Sequence, residues 1–453
     1  MEQFLNTING ILWGPPTMIL LFVVGLYFSI QTGFFQIRKI RFILNQTFGQ
    51  IFKKATRSNN TNEGTLTPLQ AVSTAISGTV GTGTIAGVAT AIYTGGPGAV
   101  FWMWVVAFFG MITKLVEVSL AVDYRVQRDD GTFAGGPMYY IERGLGPKWK
   151  PMAMFFALMM IFASLGTAVF VQPHTISVAM KDVFAVPAYI TIITTVIICA
   201  LVTFGGVKSI GSFCEKLTPL MCGIYIVICL GCVLINFTEI PSAFGYIFKY
   251  AFAPMPAVGG LAGTAVIVAI QRGVARGTFS NEAGMGTAPI VHATAKTDHP
   301  IRQGMFGSME VFTATLIICT MTALAILTSG EAIWASGLTG IELTMNVFAN
   351  SYGMFGKYIL TVCVILFALS TMIGFAVEFE TSAIFLFGTK YIKLFRIIYL
   401  VPPFLTLGHP TSMIWTVVDI SVAILVIPNV IALLLLRKKF VSLFKDFEAK
   451  FMK

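Results

Sequence analysis

Long apolar stretches separated by short polar ones set the plan of this chain. Runs near the ~20 residues that a helix needs to cross a bilayer cover about Ile11–Phe35, Leu66–Tyr93, Ala99–Val122, Met152–Val178, Ala188–Gly206 and Leu217–Ile235. After a Pro-punctuated aromatic segment, 236–258, they resume at about Gly259–Gly286, Gly304–Leu327, Gly353–Val377, Leu394–Leu407 and Met413–Leu436. The pattern predicts an all-α polytopic membrane protein with about eleven transmembrane helices. Pro173 should kink or end the fourth run.

Two runs are interrupted. Ser77–Gly87 carries Gly78, Gly81, Gly83 and Gly87 with Thr79, Thr82 and Thr84. Each glycine weakens a helix by about 1 kcal/mol against alanine. In hydrocarbon, backbone leaves helical geometry only where protein or a wet cavity satisfies the freed N–H and C=O groups. The segment reads either as the middle of a discontinuous helix or as a straight helix whose small residues admit a close neighbour. The density of glycine and threonine favours the break. The second interruption runs from Gln271 to Gly286 and holds Arg272, Arg276 and Glu282, which are costly in hydrocarbon.

Setting the first span aside, each interrupted helix begins a group of five. An odd number per group reverses orientation, so the pattern is that of a 5+5 inverted repeat with its site between the two breaks, near mid-membrane. The expected organisation is an extra N-terminal helix and linker (1–65), a first five-helix repeat with an interfacial segment (66–258), a second repeat (259–437) and a basic tail (438–453).

Composition agrees. The 453 residues are 56% hydrophobic and 11% charged, against ~25% charged in soluble domains. The net charge of +10 does not indicate nucleic acid, because Lys and Arg fall in alternate loops: 38–57, 125–150, 208–216, 390–396 and 437–439. That is the positive-inside pattern. It puts the N-terminus outside and the C-terminus in the cytoplasm, in a cell (plasma) membrane. No basic region precedes the first apolar run, so no cleavable signal peptide is expected. The seven cysteines lie in or beside apolar runs and read as buried thiols; Cys229 and Cys232 show helical spacing. The four histidines are scattered, without metal-ligand spacing. Lys114 and Glu117 sit one turn apart and read as an interfacial pair or a gate pair. Asp419 reads as an interfacial acid, a vestibule charge or a proton acceptor.

The segment Gly95-Gly-Pro-Gly-Ala-Val-Phe-Trp-Met-Trp-Val-Val-Ala-Phe-Phe-Gly110 resembles the signature of the sodium:alanine/glycine symporter family. Gly277-Thr-Phe-Ser-Asn-Glu-Ala-Gly-Met-Gly286, followed by Gln303-Gly304, resembles its second signature. The similarity runs from about Thr67 to Thr389. Where the family carries Gly-Asn-Ile, this chain has Gly83-Thr84-Ile85. The resemblance implies a LeuT-type fold and sodium-coupled uptake of alanine or glycine, with sodium as the co-transported ion and no organic cofactor. The oligomeric state is not indicated.

On that basis the substrate carboxylate is expected at opened backbone N–H groups around Gly78, Thr79, Gly81, Thr82 and Thr84. Gln172, Gln271, Asn281 and loose carbonyls of the second break should receive the ammonium, with Phe170 bounding the methyl pocket. Gln172 and Asn281 read equally as structural hydrogen-bonding residues. Sodium needs oxygen ligands: Ser370 and Thr371, which otherwise bond back to their own helix, with carbonyls near Ala75 and Gly78. Arg272, Arg276 and Glu282 are candidates for an inner gate. A proton-coupled symporter, using Asp419 or Glu117, and an ion channel remain as alternatives; an enzyme does not.

Overall fold

The computed structural model describes residues 2–51, 63–261, 263–407 and 411–452. Lys53, Lys54, Arg57 and the predicted turn at His409–Pro410 lie outside the described residues. Six helical stretches are long and apolar enough to cross a bilayer unaided: Thr7–Gln31, Gly98–Asp123, Pro147–Phe184, Gly206–Ile235, Pro300–Thr328 and Met354–Phe387. Of the other five predicted spans, four are broken or shorter helices and the last is joined by a sharp bend to the helix after it.

In chain order, α1 (Glu2–Leu12) and α2 (Pro15–Gln31) form the extra N-terminal element. The first interrupted run is α3 (Pro68–Thr79) and α4 (Ala86–Gly95), with one turn of 3-10 helix between them. Thr67 and Gln70 form a reciprocal capping box, with Pro68 at the first helical position, and this fixes the start of α3. Next come α5 (Gly98–Asp123), α6 (Lys150–Thr167), α7 (Val171–Phe184), α8 (Ala188–Thr203) and α9 (Gly206–Ile235). The fourth run breaks at 168–170, before Pro173, which then occupies the first turn of α7, where a missing N–H costs nothing. The aromatic segment is the helix α10 (Ile240–Phe252).

The second interrupted run is α11 (Val266–Asn281) and the short α12 (Ala288–His292). The predicted interruption from Gln271 is thus placed too early: Gln271, Arg272 and Arg276 are helical, and the backbone departs only at Glu282. α13 (Pro300–Thr328) widens to a π-helix over Phe312–Cys319. The loop expected after it contains α14 (Gly340–Tyr352), and α15 (Met354–Phe387) runs ten residues beyond the predicted end at Val377. The predicted tenth span is two short helices, α16 (Ile392–Tyr399) and Pro402–Leu405, separated just before a Pro-Pro pair. α17 (Thr411–Leu435) precedes α18 (Arg437–Phe451), which bends away by 63°.

α5 is the central post, packed on by α2, α11 and α13, while α15 packs against α3, α6, α7 and α9. One end of the bundle is basic: Lys439 pairs with Asp123 at 3.1 Å, Arg38 reaches Glu448 at 3.9 Å, and Arg396 pairs with Glu380 at 2.6 Å. The seven cysteines are all buried free thiols.

Candidate functional site

The first break opens at Val80 (φ −92°, ψ 78°) and Gly81 (φ −114°, ψ −158°) and closes at Ile85. Its freed groups are satisfied by side chains. Thr371 donates to the Ser77 carbonyl at 2.9 Å, and Ser370 approaches the same oxygen at 3.5 Å. Gln172 Oε1 accepts from the Thr82 N–H at 3.3 Å and its hydroxyl at 2.9 Å. Thr84 closes the turn on the Gly81 carbonyl at 2.8 Å, and Thr322 donates to the Thr84 carbonyl at 2.9 Å. Three helices, α7, α13 and α15, therefore supply what the helical ladder lost, as an interruption in hydrocarbon requires.

The second break begins with Glu282 in the left-handed region at φ 56°, followed by Gly284 and Gly286 at φ 88° and 77°. Asn281 Oδ1 accepts from the Ala283 N–H at 2.9 Å, the Thr287 hydroxyl donates to Glu282 at 2.5 Å, and Asn429 donates to the Gly284 carbonyl at 2.8 Å.

The breaks touch. A Cβ on Gly83 would lie 2.5 Å from the Phe279 ring, and one on Gly81 would collide with the Thr371 hydroxyl. Only a residue without a side chain permits this approach. The arrangement gathers Gly81, Thr82, Gly83, Gln172, Phe279, Ser370 and Thr371 around opened backbone.

Several predicted roles change. The Ala75 carbonyl accepts from Thr79 at 3.0 Å, and the α15 hydroxyls meet at Ser77 rather than at Ala75 or Gly78. Asn281 caps the break with its oxygen, which spends one of that oxygen's two lone pairs. Phe170 precedes α7, half-buried, while Phe279 is the ring at the break. Thr322 has no distinguishing sequence signal; Phe279 falls inside the second signature, but only proximity shows that its ring meets the first break.

The supposed inner gate does not assemble. Arg276 and Asp419 form a bidentate pair, 2.9 and 2.7 Å, both nearly buried. They line a cavity of about 520 Å³ together with Gln271, Arg272, Thr90 and Tyr93, at the end of the bundle remote from the basic groups. This cavity runs alongside α4 and α11, just beyond the two breaks. Glu282 remains at its own break.

Lys114 and Glu117 are fully buried and do not pair with each other. Lys114 sits 3.4 Å from Glu310, which also receives His292 at 3.0 Å and the Thr79 hydroxyl. Glu117 accepts from the Gly286 N–H at 3.1 Å and from the Asn429 amide. These contacts tie α3, α5, α12, α13 and α17 together on the basic side of the breaks. Charges in hydrocarbon persist only with such partners.

Comparison with known proteins gives one answer. The sodium/alanine symporter AgcS of Methanococcus maripaludis is 39% identical over 449 residues, 98% of this chain and 97% of that protein. The amino-acid carrier protein AlsT of Bacillus subtilis is 35% identical over 452 residues, covering 99% and 93%. Among solved structures, MhsT in complex with L-phenylalanine aligns over 85% of this chain and 93% of its own, at a TM-score of 0.61 and 16% identity, which shows a shared fold. The expected LeuT-type architecture is therefore the one present. The model of the sodium:alanine symporter family matches residues 1–453, and the chain belongs to that family of amino-acid transporters.

Proposed function

We propose that this transporter couples sodium entry to uptake of a small neutral amino acid, alanine or glycine, by alternating access. The observation that carries the proposal is the contact of the first break with the last turn of α11, immediately before the second break, each break being stabilised by side chains from other helices. A zwitterion needs donors for its carboxylate and acceptors for its ammonium. Opened N–H groups at Gly81 and Gly83 serve the first, and freed carbonyls of the two breaks serve the second. The Phe279 ring against Gly83 leaves room only for a small side chain.

Sodium, the second cargo, takes oxygen ligands. The Ser77 carbonyl with the Ser370 and Thr371 hydroxyls forms such a set, and the fit lies in its chemistry: three neutral oxygens, two of which approach the third. Sodium held there straightens α3 against α15 and so organises the adjacent amino-acid site. In this reading the basic end faces the cytoplasm, the protein sits in the plasma membrane, and the 520 Å³ cavity is the outer vestibule. The Arg276–Asp419 pair is the outer gate, and the contacts of Glu310 and Glu117 hold the inner side closed. Asp419 is engaged by Arg276, which argues against it as the carrier of proton coupling.

Uptake of labelled alanine into liposomes tests this. Stimulation by an inward sodium gradient, saturable in alanine, supports it; uptake indifferent to sodium overturns it.

A further inference from the structure

The N-terminal element stands outside the two five-helix groups, yet it touches the gate. Trp13 lies in the short link between α1 and α2, is 7% exposed, and its indole N–H donates to the main-chain carbonyl of Asp419 at 3.0 Å. The Asp419 carboxylate is the one that grips Arg276. Trp13 and Asn9 also line the vestibule beside that pair. One turn along α2 and beyond, Leu21 packs where a Cβ on Gly284 would lie, 2.5 Å away, at the second break. Further down, Phe28 and Phe35 stack edge-on with Phe440 and Phe444 of α18. The N-terminal element thus contacts the gate at one end, the break at mid-depth and the terminal helix at the basic end.

We infer that Trp13 is a positioning residue for the outer gate: its indole N–H fixes the height of Asp419 on α17, so that the carboxylate meets Arg276 with both oxygens. The inference rests on the reading of Arg276–Asp419 as that gate. A bidentate guanidinium–carboxylate pair demands coplanar alignment. Helix α17 can slide or rotate by small amounts against its neighbours, and the indole bond opposes that motion without itself touching the substrate. Removing it leaves both charges present but less often aligned, so the gate spends more time open.

The test uses full-length protein with Ala86→Cys as reporter. Ala86 lines the cavity wall near the break, and the native cysteines are buried. The readout is the initial rate of alkylation by a membrane-impermeant maleimide with sodium and alanine present. Trp13→Phe is expected to raise the rate about five-fold, the equivalent of one hydrogen bond. Arg276→Lys, which cannot bind both oxygens, should raise it further, and Trp13→Phe should then add nothing. Trp13→His, which keeps a ring N–H, should return the rate toward wild type.

An unchanged rate in Arg276→Lys overturns the gate reading, and the inference with it. A raised rate in Arg276→Lys with no effect of Trp13→Phe overturns the inference alone, as does an undiminished effect of Trp13→Phe in the Arg276→Lys background. Should Trp13→Phe fold poorly, benzothienylalanine at position 13 replaces only the N–H by sulfur and decides between the same outcomes.

Discussion

Thr371→Val is the sharpest perturbation of the proposed sodium site. Valine has almost the volume of threonine, so the packing of α15 against α3 is preserved and one oxygen is lost. That oxygen lies 2.9 Å from the Ser77 carbonyl and 3.0 Å from the Phe367 carbonyl of its own helix. Without sodium, the variant loses a neutral hydrogen bond, about 1 kcal/mol net. With sodium bound, it loses a contact to a full charge, which is stronger, about 1.5–3 kcal/mol. The difference, ~0.5–2 kcal/mol, weakens sodium binding by about 2- to 30-fold. Ser370→Ala should cost less, because its hydroxyl stands 3.5 Å from Ser77 and already bonds Phe367 at 2.9 Å. The assay is alanine uptake by proteoliposomes over a range of sodium concentrations. Half-saturation by sodium that is unchanged in Thr371→Val refutes the assignment of that oxygen to the ion.

Other consequences follow from the same geometry. Gly83→Ala drives a methyl into the Phe279 ring and should cost about 1–3 kcal/mol; uptake falls, and Phe279→Leu in the same chain recovers part of it, whereas wild-type uptake in Gly83→Ala alone contradicts the contact. Thr322→Val leaves the Thr84 carbonyl without its donor, and a buried unpaired carbonyl costs about 1–3 kcal/mol, so thermal denaturation in detergent should shift downward with no change in sodium half-saturation. At the basic end, His299 Nδ1 accepts the Ile301 N–H at 3.1 Å and caps α13, while Nε2 meets Asp446 at 3.1 Å. Burial holds the His299 pKa below its ordinary 6.5, against the pull of Asp446. The unfolded chain therefore takes up this proton first, and stability is lost as pH falls through about 6.5; His299→Ala should flatten that part of a melting-temperature profile.

The density of glycine and threonine over Ser77–Gly87 made the first break legible, because no tertiary information is needed to see a helix robbed of propensity and supplied with hydroxyls. The observed departure, Val80 to Ile85, lies inside that window. The second break was legible only in outline. Arg272 and Arg276 are costly in a membrane helix, so the residue pattern places the interruption too early. Arg276 is tolerated because Asp419, 143 residues away, neutralises it, and no local pattern reports such a partner. Lys114 and Glu117 mislead in the opposite sense: their spacing suggests a pair, yet their partners come from α13 and α17. Gln172 and Thr371 were legible as polar residues in apolar runs. Phe279 falls within the second signature, but nothing in the pattern says that its ring faces the first break and not its own.

The central claim is that two opened helices together hold an amino acid and the sodium ion that drives it. Purified protein in liposomes, loaded with neither cargo, allows sodium and proton gradients to be imposed separately while labelled alanine and labelled sodium are counted together. Concentrative alanine entry under a sodium gradient alone, accompanied by sodium entry that stops when alanine is omitted, is the predicted result. Concentrative entry under a proton gradient in the absence of sodium, or sodium flux that ignores alanine, contradicts it.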